Sequence, residues 1–251
     1  MGILFTVAYD GTNYCGWQEQ KNGVSVQSTL TAALMIIFTS DFTLLGASRT
    51  DAGVHALGQR THLISTVPSI IPTGKLPLVI NGHLPPDIRI MDAKYVPDGF
   101  HPINDAKSKT YCYKIYNARY QNPLQRGFCA HVPLRLDVAK MAKAAKFFIG
   151  EKDFAAFCSR GSAVKTTVRK VNTLDVDRQG DIVNITINGN GFLYNMVRII
   201  AGTLVGVGLG KITLENVPEI IQSCDRTRAG RTMPPQGLVL LEIYYNLPCG
   251  T

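Results

Sequence analysis

The chain opens on an apolar run, Ile3-Leu4-Phe5-Thr6-Val7-Ala8-Tyr9, which stops at Asp10-Gly11. A short β-rich run closed by a turn pair reads as a strand. Ser25 then precedes Val26, Leu30, Leu34 and Ile37. Apolar positions near a 3.6-residue period behind a serine predict a capped helix through about Phe38. Residues 43–47 read as a short strand, and residues 66–87, rich in Pro and Gly, as an irregular connection. Residues 110–116 read as a strand with Tyr111, Tyr113 and Ile115 on one face. Asp137 stands before a helix striped by Val138, Met141, Ala145 and Phe148 and ended by Gly150. Residues 168–176 and 181–187 form an antiparallel pair around Arg178-Gln179-Gly180. Residues 192–205 read as a buried helix, 214–224 as an amphipathic one, and 238–245 as a closing strand. Strands and helices mix without strict alternation, which predicts an α+β fold. The seam falls near residues 101–108. It divides the chain into two α+β halves, 1–104 and 105–251, sharing an extended mixed, mainly antiparallel sheet.

Composition narrows the class. A chain of 251 residues buries roughly 70–75% of its unfolded surface and needs no metal or disulfide staples to hold a core. Its 45% apolar content excludes disordered, collagen-like and fibrous proteins. The net charge of +8 is uneven. Residues 1–100 carry 6 basic and 7 acidic groups, residues 101–200 carry 16 and 7, and residues 201–251 carry 4 and 4. The basic middle favours an anionic partner, above all nucleic acid. A merely soluble basic surface is the competing reading.

Other signals close off function classes. Cys15, Cys112, Cys129, Cys158, Cys224 and Cys249 form no C-x-x-C and no zinc spacing. They read as reduced thiols of a cytoplasmic protein. The five histidines form no H-E-x-x-H, so no metal is expected. The first residues lack the basic start of a signal peptide. They fit the loose M-G-x-x-x-[ST] myristoylation pattern, but a buried strand from Gly2 is the preferred reading. Residues 199–209 are too short and too glycine-rich to span a bilayer, so no membrane partner is expected. Asn184-Ile185-Thr186 is a formal glycosylation sequon, discounted because it lies in a strand pattern.

Two chemistry motifs fail at definite residues. Gly46-Ala47-Ser48-Arg49-Thr50 resembles a hydrolase nucleophile elbow but ends in Thr, and loop rather than helix should follow. Gly206-Val207-Gly208-Leu209-Gly210-Lys211 resembles a phosphate loop, but Val205 and Ile212 stand where Gly and Ser or Thr belong. It reads as a helix end and a turn.

The segment Ser48-Arg49-Thr50-Asp51-Ala52-Gly53-Val54-His55-Ala56 is the informative one. It packs Arg, Asp and His into a short loop between strands, a common setting for function. On physics alone, a turn with a local Arg49–Asp51 ion pair accounts for it equally well.

The run R-T-D-A-G-V-H resembles the signature of the TruA-type tRNA pseudouridine synthases, and the resemblance extends from about residue 3 to residue 245. Tyr9-Asp10-Gly11-Thr12-Asn13-Tyr14-Cys15-Gly16-Trp17-Gln18 resembles the family's Y-D-G-x-x-[YF]-x-G-[WF]-Q opening. Ser25-Val26-Gln27, the segment from Asn81 to Ile88, Phe100-His101, Tyr111-Cys112-Tyr113, the segment from Gly150 to Phe154, Phe192 to Arg198, and Gly237-Leu238 follow in family order. The resemblance implies two ferredoxin/RRM-like halves about a central cleft. It also implies a homodimer in which one tRNA spans both subunits, acting on uridines 38, 39 and 40 of the anticodon stem-loop.

The same resemblance implies roles. Asp51 is the catalytic aspartate, attacking the target uridine at C1′ or at the base. Arg198 is the partner of that carboxylate, where a cation favours the ionised form. Tyr111 stacks on the displaced uracil and could assist loss of the C5 proton. Arg49 helps hold the nucleotide out of the stem, since chemistry on a stacked base requires flipping. No cofactor is implied. Lys107, Lys109, Lys114, Arg119, Arg126, Lys143, Lys146, Arg160, Lys165, Arg169 and Lys170 are expected to line the cleft for tRNA phosphates. His55 contacts RNA or orders the loop; Trp17 and Gln18 shape the domain or touch RNA. Ser48, Pro102-Ile103-Asn104, Cys112 and Cys158 depart from the family's usual residues and remove basic groups near the RNA path. A non-catalytic tRNA-binding or chaperone protein is the alternative function, and a serine hydrolase on Ser48 a third.

Overall fold

The computed structural model describes every residue except 1, 22, 39–40, 66–68, 162–163 and 248–251, so Cys249 lies outside the described residues. In chain order the elements are β1 (Gly2–Tyr9), α1 (Val26–Ile37), β2 (Phe42–Gly46), β3 (His55–Ser65), α2 (Leu76–Asn81), β4 (Ile88–Val96), β5 (Ala106–Tyr116), β6 (Ala130–His131), α3 (Val138–Ala145), β7 (Gly150–Asp153), β8 (Val168–Gln179), β9 (Ile182–Gly189), α4 (Met196–Gly208), α5 (Asn216–Ser223) and β10 (Leu238–Tyr245). The chain divides into two units, Met1–Lys107 with Leu240–Thr251, and Ser108–Val239. Both combine helices with mainly antiparallel strands, so the fold is α+β.

In the first unit the strand order is β4-β1-β3-β10, and β2 pairs with β3 as well. β1 lies between β3 and β4 and is buried along most of its length on both faces, which explains its nearly continuous apolar run. Gly2 starts it because a Cβ there would press onto the His62 ring, 2.0 Å from Nε2. α1 begins where the serine signal puts it. The Ser25 hydroxyl accepts from the Ser28 amide (3.0 Å), and the Ser28 hydroxyl accepts from the Ser25 amide (3.1 Å). This reciprocal box satisfies two amides that the first turn cannot. Ser25 is fully buried, so Ser25→Ala is expected to cost about 1 kcal/mol of stability, read as a lower urea midpoint with unchanged slope. Midpoints that coincide would remove the cap from the account.

Three elements of this unit escape the hydrophobic pattern. β3 has no alternation because it is buried almost throughout, polar Gln59, Thr61 and His62 included. β4 interleaves Arg89, Asp92 and Lys94 with its apolar residues at the end of the strand order. α2 is a short helix inside the stretch that reads as irregular, with a proline in its first turn.

In the second unit the order is β5-β9-β8-β7, with β6 parallel to β5. α3 packs on α4 and β8. It starts at the Asp137 cap, whose carboxylate accepts from the Lys140 amide (3.0 Å). β8 and β9 pair antiparallel around the turn at Gly180, as the alternation predicts. α4 starts four residues later than the apolar pattern suggests. Phe192 to Asn195 are not helical, and Asn195 adopts a left-handed conformation, φ 61°. The helix then runs to Gly208 and unwinds through Gly210, φ 70°. The glycine-rich stretch is therefore a helix end, not a phosphate loop.

Candidate active site

Ala47, Ser48 and Thr50, which lead into Asp51, are each held by a buried or backbone partner in the first unit. β2 stops at Gly46, where a Cβ would lie 2.1 Å from the Trp17 indole nitrogen. The Ala47 amide donates to the Arg60 carbonyl (2.8 Å). The Ser48 amide donates to the Gln59 side-chain oxygen (3.2 Å), and the Gln59 amide group donates to the Ser48 carbonyl. Gln59 is fully buried, so this bidentate clasp fixes the start of the loop. Arg49 points outward and is exposed. Thr50 turns in. Its carbonyl accepts from the Trp17 amide (3.0 Å), and its hydroxyl is hydrogen-bonded to the Tyr9 hydroxyl (2.7 Å). Gly16, φ 105°, permits this approach, because a Cβ there would sit 2.6 Å from the Thr50 carbonyl oxygen.

Asp51 follows, half-buried. The Val54 amide closes its turn on the Asp51 carbonyl (3.1 Å), and Gly53 supplies the positive φ of 76° that the turn requires. His55 then enters β3 with its ring inward, 5% exposed. Its Nδ1 lies 3.1 Å from the Gly11 amide and 3.0 Å from Asp10 Oδ1. Asp10 Oδ1 also accepts from the Thr12 amide (3.0 Å) and hydroxyl (2.6 Å). Burial opposes the Asp10 charge, but the Thr12 bonds and the imidazole outweigh it and hold the carboxyl below its ordinary value. A carboxylate on a turn pinned at both ends is suited to act as a nucleophile or a base.

These contacts decide several open readings. His55 orders the loop. Trp17 is 1% exposed with its ring near that of Tyr9, centroids 5.9 Å apart, and shapes the domain. Ser48 leads into a turn and then β3, so the strand-turn-helix that a serine elbow needs is absent at this loop.

In the second unit Tyr111 lies on β5, 6% exposed, with its ring edge-to-face against Phe192 at 5.2 Å. Two residues on, Tyr113 is fully buried and donates to the Pro234 carbonyl (2.7 Å). Burial pushes its phenol well above the ordinary value, although Arg198 and Arg231 pull the other way. Arg198 stands in the first turn of α4. Its Nε donates to the Met233 carbonyl (2.7 Å) and Nη1 to the Asn195 side-chain oxygen (2.6 Å). The Asn195 amide group in turn donates to the Ser159 hydroxyl (3.0 Å). These two neutral oxygens help to aim the guanidinium.

The segment that supplies Met233 had no motif of its own. It runs close along α4 through two facing glycines: a Cβ on Gly202 would lie 1.9 Å from the Arg231 carbonyl oxygen, and one on Gly230 would lie 2.4 Å from the Gly202 carbonyl carbon.

The expected row of basic residues is corrected in part. Lys109 and Lys114 fall on opposite faces of β5, so the eleven do not share one surface. Burial also pulls the Lys109 ammonium down to about 8, which makes it a poor choice for a solvated phosphate contact. Arg119, Arg126, Lys143, Lys146, Arg160, Lys165 and Lys170 are exposed. Among the described residues no group of three His, Cys, Asp or Glu is placed to hold a metal ion, and no helix is long and apolar enough to cross a membrane.

A family model described as tRNA pseudouridine synthase matches residues 6–103 and 144–246. Among curated relatives, the tRNA pseudouridine synthase A of Thermoanaerobacter sp. (strain X514) is 48% identical over 243 residues, covering 97% of this chain and 99% of its own. The enzyme of the same name from Ruminiclostridium cellulolyticum is 47% identical over 244 residues, with the same coverages. That from Acetivibrio thermocellus is 47% identical over 243 residues, again covering 97% and 99%.

Proposed function

The chain belongs to the tRNA pseudouridine synthase family of isomerases, and from that premise we propose that Asp51 is its nucleophile and that its targets are uridines 38, 39 and 40 of the tRNA anticodon stem-loop. The observation that carries the first part is the pinned turn. Thr50 is tied to Tyr9 and Trp17, His55 is tied to the segment at Asp10 and Gly11, and Asp51 lies between them, half-buried. The isomerisation breaks the N1–C1′ bond and forms a C5–C1′ bond. C5 loses its proton and N1 gains one, so composition is unchanged and no redox partner or energy source enters. The Asp51 carboxylate attacks at C1′ or at the base and is regenerated when the new bond forms.

Arg49, exposed beside the nucleophile, would hold the extruded nucleotide, and unstacking it costs a few kcal/mol. Tyr111 and Arg198 are the other substrate-binding groups in this reading. Exposed lysines and arginines of the second unit supply phosphate affinity, and tRNA shape supplies the choice of substrate. The protein works in the cytoplasm as a homodimer with one tRNA across both subunits; its mass in solution, with and without tRNA, tests the assembly.

Site choice is tested by mapping pseudouridine in unmodified tRNA transcripts after treatment with the purified protein. Pseudouridine is expected at positions 38–40 wherever uridine stands there. Modification confined to other positions would overturn the stem-loop assignment while leaving the isomerase activity intact.

A further inference from the structure

We propose that His55 and Asp10 are positioning residues that aim Asp51, an inference that rests on the assignment of Asp51 as nucleophile. The imidazole begins β3 four residues after Asp51, at the far end of the turn closed by the Val54 amide. It is buried, and its Nδ1 meets two groups of one segment, the Gly11 amide at 3.1 Å and Asp10 Oδ1 at 3.0 Å. These partners ask opposite things of Nδ1. With its proton on Nε2, the ring accepts from the Gly11 amide; with a proton on Nδ1, it donates to the Asp10 carboxylate. In either form the ring stays tied to the end of β1, so the turn keeps its anchor whichever nitrogen is protonated.

The backbone beneath this tie is equally close. A Cβ on Gly11 would lie 2.0 Å from the Val54 carbonyl oxygen, so the two segments run in direct contact just past the nucleophile. Asp10 is itself fixed by both donors of Thr12. Hydrogen bonds thus tie Thr12 to Asp10 and Asp10 to His55, and the Val54 amide closes the turn on the Asp51 carbonyl. This gives the Y-D-G opening and the R-T-D-A-G-V-H loop one shared task, which is holding a carboxylate still. The group does not touch substrate in this reading. Its effect appears in the rate of the chemical step, because a misplacement of about 1 Å can cost about 100-fold.

The test compares His55→Ala, His55→Asn and Asp10→Ala with wild type and with Asp51→Asn. Single-turnover tritium release from [5-³H]uridine tRNA and the tRNA dissociation constant are both measured, on protein shown to be folded by its denaturation midpoint. Asp10 has a 38% exposed side chain, so its truncation is the variant least prone to misfold. His55→Ala and Asp10→Ala are expected to lose about 100-fold and at least about tenfold in single-turnover rate, with tRNA affinity within about threefold of wild type. The amide of His55→Asn stands near the place of Nδ1 and should recover at least about tenfold of the loss. Folded His55→Ala and Asp10→Ala at the wild-type rate would overturn the inference. So would equal losses in rate and affinity, which would make His55 an RNA contact, and so would no recovery in folded His55→Asn. Activity in Asp51→Asn would instead overturn the nucleophile assignment on which the inference stands.

Discussion

Asp51→Asn is expected to abolish tritium release from tRNA carrying [5-³H]uridine while leaving tRNA binding within a few-fold of wild type. The substitution is nearly isosteric, and the ties of the turn are made by neighbours: Thr50 to Tyr9 and Trp17, Val54 to the Asp51 carbonyl, His55 to Asp10 and Gly11. These ties are made by neighbouring residues and by the Asp51 main chain, all of which the substitution leaves in place, so the loop should keep its course. What is lost is the anionic oxygen that, in the function proposed above, attacks the target uridine. Removing a nucleophile from a preorganised site costs at least about 10⁴-fold in rate, enough to put release below detection in an hour-long assay. In the proposed reading affinity comes mainly from phosphate contacts by exposed lysines and arginines, which the change leaves in place. Release by the variant within tenfold of wild type would remove Asp51 from the chemistry. Loss of both binding and release would make Asp51 a structural carboxylate, and the turn would then need a different account.

Where the fold was legible, a local signal and a local cause coincided. Ser25 and the period of Val26, Leu30 and Leu34 locate α1 to within a residue, because the cap and the apolar stripe lie on the same dozen residues. The closing strand is found at residues 238–245, where the pattern puts it. β3 was hidden for a physical reason. β3 is buried on both of its faces, with Gln59, Thr61 and His62 among the buried residues, so no alternation survives. The start of α4 was misjudged because Phe192 and Leu193 are apolar yet not helical; the left-handed Asn195 sets the boundary, and periodicity does not report a single φ. The candidate site divides in the same way. Asp51, Arg49, Tyr111 and Arg198 were named through family motifs, not through pattern or composition. Their supports were less visible, because they act through backbone atoms: the Thr50 carbonyl, the Gly11 amide and the Met233 carbonyl. Backbone contacts between distant segments leave no side-chain signature except the glycines that permit them.

Gly202→Ala is expected to lower stability by about 3 kcal/mol and to slow the reaction of the molecules that remain folded. In an ordinary helix interior this change gains about 1 kcal/mol, since alanine is the better helix former. Here the new methyl would lie 1.9 Å from the Arg231 carbonyl oxygen, a backbone atom that cannot rotate aside. The Gly230 amide is tied to the Thr203 hydroxyl (2.9 Å), and the Met233 amide to the Arg198 carbonyl (3.2 Å). Relief therefore requires α4 and the segment to separate, which breaks those bonds. Overpacking costs about 1–3 kcal/mol by itself, and each stranded buried amide adds about 1 kcal/mol or more. The same separation pulls the Met233 carbonyl from Arg198 Nε, so the guanidinium loses an aiming contact and catalysis should fall beyond the loss of folded protein. Gly206→Ala is the control on the same helix. Its methyl would meet the Ile212 side chain, nearest at Cδ1 (2.7 Å), rather than backbone; that side chain can shift, and the expected change is under about 1 kcal/mol. Urea midpoints and single-turnover rates for the two variants decide the matter. Equal midpoints would mean that α4 and the segment at Gly230 do not pack backbone to backbone. A fall in stability with an unchanged rate per folded molecule would mean that Met233 does not help aim Arg198.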